Sequence, residues 1–405
     1  MAQKAKRKNK FFVSGTPDYA LIIITIILLL TGLIMLLSAS APASLSENGN
    51  SHDIFVKQAK FVGVGIVFMF AASKINYRKF SSRTWQIIFY ILSIAFAASV
   101  LVFGISSGGA KRWIKIPGVP SFQPSEMIKV LMIMFFASYL PTLKDSVQKV
   151  EGFWKKYLVG FVLPVGLLGF ILVLIFKLQN HASVCILIAL IVLVQMFVSG
   201  MKIRQFMITG LVAVVILAGC YGVYTLITNS SEENVATTEE ESGFNFRSER
   251  IKIWLDPDSN LTGTGWQINQ SFYAIGSGGL FGVGLGKSNQ KNLYIPEPHN
   301  DFIFAVIAEE LGFVGSVSII ILFLLFIWRG LIIAMNATDM MGTLIAIGVT
   351  ALIGLEALIN VAVVTGTIPV TGMPLPFFSY GGTALIINLI AVGLLLSVSR
   401  GENNN

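Results

Sequence analysis

The sequence predicts an all-α polytopic membrane protein with about ten transmembrane helices. Three observations carry this. Of its 405 residues, 54% are hydrophobic and only 12% are charged, whereas soluble domains average about 25% charged. The mean hydropathy is +0.75. The apolar residues gather in runs close to the ~20 residues that a bilayer-spanning helix needs.

The runs, in order, are 19–41, 56–74, 85–105, 126–141, 158–176, 182–200, 206–228, 302–328, 341–364 and 382–398. The first follows a basic tail, residues 1–18, containing "KAKRKNK". Its run from Tyr19 to Leu37 exceeds the ~7–15 residues of a cleaved leader's apolar core. It reads as a retained first span. The second carries Lys57 and Lys60 in its first turns, where long side chains snorkel to the interface. The fourth is short and opens on "FQPSEMIK", residues 122–129. There Pro124 suits a helix start and Ser125 a cap. Glu126 and Lys129, three residues apart, share a helix face, and charges at that depth must pair or line a polar cavity. Glu309 and Glu310 fall inside the eighth span, and Glu356 and Asn360 share a face of the ninth.

Basic residues set the expected orientation. An even number of spans places both termini on one side. Lys4–Lys10, Lys74–Arg83, Lys144–Lys156, Lys202, Arg204, Arg329 and Arg400 then share that side, while the short opposite loop 42–53 has no Lys or Arg. This is the positive-inside pattern, so both termini are expected in the cytoplasm. The formal charge of +8 is therefore topological, and nucleic-acid binding is excluded as its explanation. The two cysteines, Cys185 and Cys220, lie in apolar runs without metal-ligand or redox spacing.

Two outer segments break the charge rule. One is "GAKRWIKI", with Lys111 and Arg112. The other is the loop 229–301 between spans seven and eight, about seventy residues long, with Arg247 and Arg250. Ordered loops of such length are usually functional. Its "GLFGVGLGKS" is not a phosphate-binding loop, because Phe281 stands where that motif needs its first glycine. The glycines predict tight turns and close backbone approach. "TGMPLPFFSYGG", residues 371–382, cannot be a regular helix, given Pro374, Pro376, Gly381 and Gly382.

The candidate catalytic group is Asp301, in "YIPEPHNDFIFA" where the long loop becomes an apolar run. Apolar neighbours raise such a carboxyl's pKa and nearby cations lower it. It can also serve simply as an acid near a helix N-terminus. His299, beside it, reads as a solvated loop histidine or a second base. No cofactor motif and no convincing metal-ligand cluster is visible. A substrate on the outer side, away from ATP, must carry its own activation, as a lipid-linked sugar diphosphate does. Residues alone leave a transferase, a lipid transporter and a scaffold open.

Five ordered stretches then make the sequence similar to a known family: "GAKRWI", "FQPSEMIK", "QSFYAIGSGGLFGVGLGKSNQK", "YIPEPHNDFIFAVIAEELG" and "TGMPLPFFSYGGTALI". They resemble the motifs of the SEDS (shape, elongation, division and sporulation) proteins, closer to the FtsW and SpoVE branch than to RodA. The resemblance runs from about residue 19 to 400. It implies an inverting peptidoglycan glycosyltransferase that polymerises lipid II at the outer face of the bacterial cytoplasmic membrane, rather than a lipid II flippase or a non-catalytic division scaffold. It implies that Asp301 is the general base. Lys111, Arg112, Glu126, Lys129, Arg247, Arg250, His299, Ser379 and Tyr380 become candidate substrate-site residues. The implied partners are lipid II, undecaprenyl diphosphate, a class B penicillin-binding protein and other division or sporulation membrane proteins. Two departures stand out: Asn300 replaces a frequent threonine, and "LQNHAS", residues 178–183, replaces a Pro-Asp or Pro-His pattern.

Overall fold

A computed structural model describes residues 13, 15–107, 110–115, 121–148, 151–201, 250, 252–256, 263–292 and 294–402. The helices are α1 (Tyr19–Asn48), α2 (Asp53–Lys74), α3 (Arg83–Phe103), α4 (Pro124–Gln148), α5 (Phe153–Tyr157), α6 (Leu163–Gln179), α7 (Ala182–Val198), α8 (Thr264–Gly278), α9 (Ile303–Met335), α10 (Met340–Val364) and α11 (Gly382–Glu402). A two-stranded hairpin, β1 (Gly104–Ser107) and β2 (Ala110–Ile114), follows α3. Among the described residues, eight helices are long and apolar enough to cross a membrane, and α7 is a shorter apolar one. The expected span 206–228 and Cys220 lie outside the described residues.

The core is not evenly shared. α4 and α11 bury 78% and 72% of their apolar windows, against 28% for α2 and α3. The fourth run therefore is no marginal span. It is the central helix, extended to 25 residues, and the polar residues of its first turns, Ser125, Glu126 and Lys129, are buried. Gln195 of α7 shows how the centre is tied. Its Nε2 donates to Ile133 O of α4 at 3.1 Å and to Leu344 O of α10 at 2.9 Å. Apolar surface offers little drive for helix association in lipid, so such side-chain bonds specify neighbours.

Further polar contacts gather at the two ends of the bundle. At one end Arg78 pairs with Asp339 and Arg329 with Asp18, both at 2.7 Å, while Arg400 Nη1 donates to Gly15 O. At the other end the hairpin, α8, the 279–302 loop and the 365–381 segment meet. Ile114 exchanges backbone bonds with Phe122, Ser183 Oγ donates to Thr371 O at 2.9 Å, and Trp254 Nε1 donates to Gly366 O at 2.7 Å.

The largest departure from the sequence reading is in the eighth run. α9 is two helices in one. Gly312 has φ 68° and ψ −165° and interrupts it. Before the break, Ile303–Glu310 are buried on every face, so this segment is enclosed by protein rather than by lipid. The broken ladder is completed by the glycine-rich loop: Phe313 N donates to Gly279 O and Val314 N to Leu280 O, while Val283 N and Gly284 N donate to Glu309 O and Glu310 O. A Cβ on Gly312 would stand 2.3 Å from Gly282 N, and one on Gly282 would stand 2.1 Å from Glu310 O. Both positions therefore require glycine.

A second departure is α8, which lies within the expected loop 229–301, where no helix was expected. It packs along α9. Glu309 and Glu310 are also resolved. They clamp the loop rather than face lipid. The Glu309 carboxylate accepts from Asn289 N at 2.9 Å, Gln290 N at 3.3 Å and the Ser288 hydroxyl. Glu310 pairs with Lys291 at 2.6 Å and accepts from Ser38 of α1.

Candidate functional site

Asp301 sits two residues before α9, whose first helical residue is Ile303. It does not cap that helix. The cap position is Phe302, and no side chain bonds there. Its role as a macrodipole acid is thus not supported by a capping bond. Its backbone is fixed instead: Asn360 Nδ2 of α10 donates to Asp301 O and to Met373 O, each at 2.8 Å. The carboxylate lies against Gly372, where a built Cβ would stand 3.4 Å from Oδ2. The residue is half-buried. Burial pushes its pKa up to about 6, Glu297 adds to the rise, and Arg250 opposes it. A carboxyl with that value is ionised at neutral pH and still basic enough to accept a proton.

The segment on either side is held by the 371–382 loop. Ser379 Oγ donates to Asn300 O at 2.7 Å and accepts from Leu375 N at 2.8 Å. Tyr380 N donates to His299 O at 2.8 Å, and the two rings meet edge to face at 5.9 Å. Gln58 of α2 donates to Ser379 O at 3.2 Å. His299 is 7% exposed, so the solvated-loop reading is corrected: the backbone bond from Tyr380 N and the neighbouring Ser379–Asn300 bond draw it inward. Ser379 spends both its donor and an acceptor on backbone, so it positions the 299–301 segment and is not a free substrate contact.

Glu126 and Lys129 do pair, at 2.7 Å, but they are not alone. Lys129 Nζ also bonds Glu356 of α10, and Asn388 of α11 donates to Glu356 at 3.1 Å. Lys129 and Glu356 are 2% and 1% exposed, so this cluster joins three central helices out of solvent. Ser125 is the second residue of α4 rather than its cap, and its hydroxyl faces His181 Nδ1 at 3.4 Å.

His181, in the "NHAS" stretch, is a residue the sequence reading passed over. Gln123 Nε2 donates to its Nδ1 at 3.1 Å, which leaves the ring proton on Nε2. Burial, then Arg112, Lys129 and Arg250, push its pKa down to about 3. It is neutral at working pH and sits where three cations converge. Arg112 Nη2 donates to Asn180 O at 3.0 Å, and Arg250 Nη1 to Val370 O at 3.0 Å. Arg250 bonds Val370 O, two residues from the Gly372 that lies against the Asp301 carboxylate, so the 370–372 segment connects this cation with the acid. Lys111 lies in β2 next to Arg112, with its side chain outside the described residues, as is all of Arg247.

A half-buried acid with Arg250 acting on it can receive a proton while an anion departs towards the cations.

Known proteins are similar to this chain over nearly its whole length. The FtsW/RodA/SpoVE family profile, described as cell cycle protein, matches residues 19–404. Stage V sporulation protein E of Bacillus subtilis is 38% identical over 387 residues, 95% of this chain and 97% of that one. The probable peptidoglycan glycosyltransferase FtsW of Trichlorobacter lovleyi is 36% identical over 391 residues, 95% and 94% of the two chains. Among solved structures, a chain from a peptidoglycan synthase complex that coordinates polymerization and crosslinking matches with a TM-score of 0.73 at 25% identity, over 96% of this chain and 99% of that one. The rod shape determining protein RodA of Thermus thermophilus matches with a TM-score of 0.65 at 25% identity, over the same shares. The chain is a multi-pass membrane protein that belongs to the FtsW/RodA/SpoVE family.

Proposed function

We propose that this protein is a peptidoglycan glycosyltransferase that polymerises lipid II at the outer face of the bacterial cytoplasmic membrane, in division or sporulation. The observation that carries the reading is Asp301: a half-buried carboxyl with its pKa raised to about 6, fixed through its carbonyl by Asn360, and sharing the Arg250 field with the cation cluster.

The acceptor's N-acetylglucosamine 4-hydroxyl attacks C1 of the donor's N-acetylmuramic acid. The new C1–O bond forms as the bond to diphosphate breaks. Asp301 takes the hydroxyl proton, and undecaprenyl diphosphate leaves with the electron pair. Attack opposite the leaving group turns an α-linked donor into a β-linked strand. Arg112 and Arg250 stabilise the departing diphosphate, and Lys111 and Arg247 are the further cations assigned to it from the sequence. Lys129 is already paired with Glu126 and Glu356 and contributes through its field, not through contact. Both termini face the cytoplasm, consistent with the basic residues at the Asp18–Arg329 end. The named similarity to a chain of a peptidoglycan synthase complex supports a class B penicillin-binding protein as the crosslinking partner.

The test is polymerisation of lipid II by the purified protein in detergent. Asp301→Asn is expected to retain folding and lipid binding and to lose at least the general-base factor of about 10²–10⁴. Parental polymerisation by Asp301→Asn overturns the assignment.

A further inference from the structure

A cavity of about 480 Å³ opens between α8 and the loop that leads to Asp301. This is within the usual range for a small-ligand site, about 300–1,000 Å³. Three aromatic rings line it: Trp266, Tyr273 and Tyr294. Four amides complete it: Gln270, Asn289, Gln290 and Asn292. None of the seven carries a charge.

We infer that this cavity is a glycan subsite that holds the growing, neutral face of an N-acetylated sugar chain beside the catalytic lip. The inference rests on the glycan-polymerising reading above and adds a second place where the same polymer is gripped.

The chemistry selects the ligand. An aromatic face takes the C–H surface of a pyranose ring, and amides, which both donate and accept, match hydroxyl and acetamido groups. A diphosphate would need cations, and these are gathered elsewhere, at Arg112 and Arg250. The wall is stiff. Trp266 Nε1 donates to Tyr294 O at 2.6 Å, locking helix to loop. The floor is fixed because Asn289 N and Gln290 N are held by Glu309. One group lacks a partner: among the described residues, Gln290 Oε1 is buried without a hydrogen-bond partner, and buried polar atoms are normally satisfied by protein, water or ligand. Tyr273 and Tyr294 remain 63% and 52% exposed. A membrane-interface aromatic belt would also expose tyrosines, but it would not surround them with four amides.

Position fits a product site. Tyr294 and Asp301 are seven residues apart, so they lie within roughly 25 Å of each other. A strand leaving the acid can therefore reach the cavity while its newest sugar is still at the site. Retention there would favour repeated addition to one strand over release.

The experiment uses the full chain in detergent. Binding of chitotetraose, a neutral tetramer of N-acetylglucosamine, is measured by tryptophan fluorescence and ligand-observed NMR. Strand length is then measured after lipid II polymerisation at matched donor consumption. Tyr273→Ala and Asn292→Ala, both at exposed side chains, are the principal variants. Trp266→Phe tests the ring without its N–H. Chitotetraose is expected to bind about tenfold more weakly to Tyr273→Ala, and strands are expected to be several-fold shorter in both alanine variants. Parental binding and parental strand length in both variants overturn the subsite while leaving the polymerase reading intact. Parental binding with altered partition into nanodiscs assigns the tyrosines to a lipid belt and likewise overturns it. If the parent binds chitotetraose and loses that binding in Tyr273→Ala, yet makes no polymer, the subsite stands and the polymerase reading falls.

Discussion

Asn360 holds the carbonyls of Asp301 and Met373 at the same distance, 2.8 Å, through a single amide nitrogen. One side chain of α10 thus sets the separation between the acid-bearing loop and the 371–382 segment that faces it. Asn360→Leu removes both bonds and leaves two carbonyls unpaired. We expect a loss of about 1–3 kcal/mol in stability and a fall in kcat of about 10²-fold from misplacement of the acid. Thermal unfolding and steady-state rates on the same preparation check both. An unchanged kcat in a correctly folded variant would contradict the positioning role.

Activity should rise with pH through about 6, the value at which Asp301 ionises. The sign follows from the base role: only the carboxylate accepts a proton, so the rate falls on the acid side. Glu297 raises this pKa and Arg250 lowers it. Glu297→Gln should therefore move the acid limb to lower pH, and Arg250→Gln should move it to higher pH. A pH–rate profile of the three proteins measures the shifts. Movement of both variants in one direction would contradict the arrangement.

The Lys129 cluster makes a stability prediction. Lys129→Met leaves Glu126 and Glu356 buried without their cation, which costs about 3–5 kcal/mol. Adding Glu126→Gln and Glu356→Gln removes the stranded charges and should restore part of that loss. Comparing thermal midpoints in detergent tests the non-additivity.

Gly312→Ala should be severely destabilising. The left-handed backbone, φ 68°, and the 2.3 Å approach to Gly282 N leave no room for a Cβ. Gly166→Ala is a useful control, because nothing lies within 4 Å of a Cβ there. Expression level and size-exclusion behaviour should separate the two. Equal behaviour would mean that the break in α9 is dispensable.

Much of the bundle was legible because lipid imposes a length and polarity that one sequence displays openly. Asp301 and the Glu126–Lys129 pair were legible for the opposite reason: charge is costly there and has to be explained. What escaped was long-range. Glu356 lies 227 residues from Lys129, and no local spacing links them. The enclosed first segment of α9 has the apolar composition of a span, so only packing distinguishes it. α8 mixes polar and apolar residues and ends in glycines, which masked its helical character. His181 gave one signal, a histidine placed between two apolar runs, but its setting depends on Gln123 and on cations that the fold brings from elsewhere. His299 reversed its expected exposure because the 379–381 turn folds over it.

The break at Gly312 has a mechanical consequence. The glycine loop bonds α9 on both sides of the break: it donates to Glu309 O and Glu310 O, and it accepts from Phe313 N and Val314 N. The long apolar half of the helix and the half next to Asp301 are therefore stitched to each other through one loop, so a substitution that loosens this seam reaches the acid without touching it.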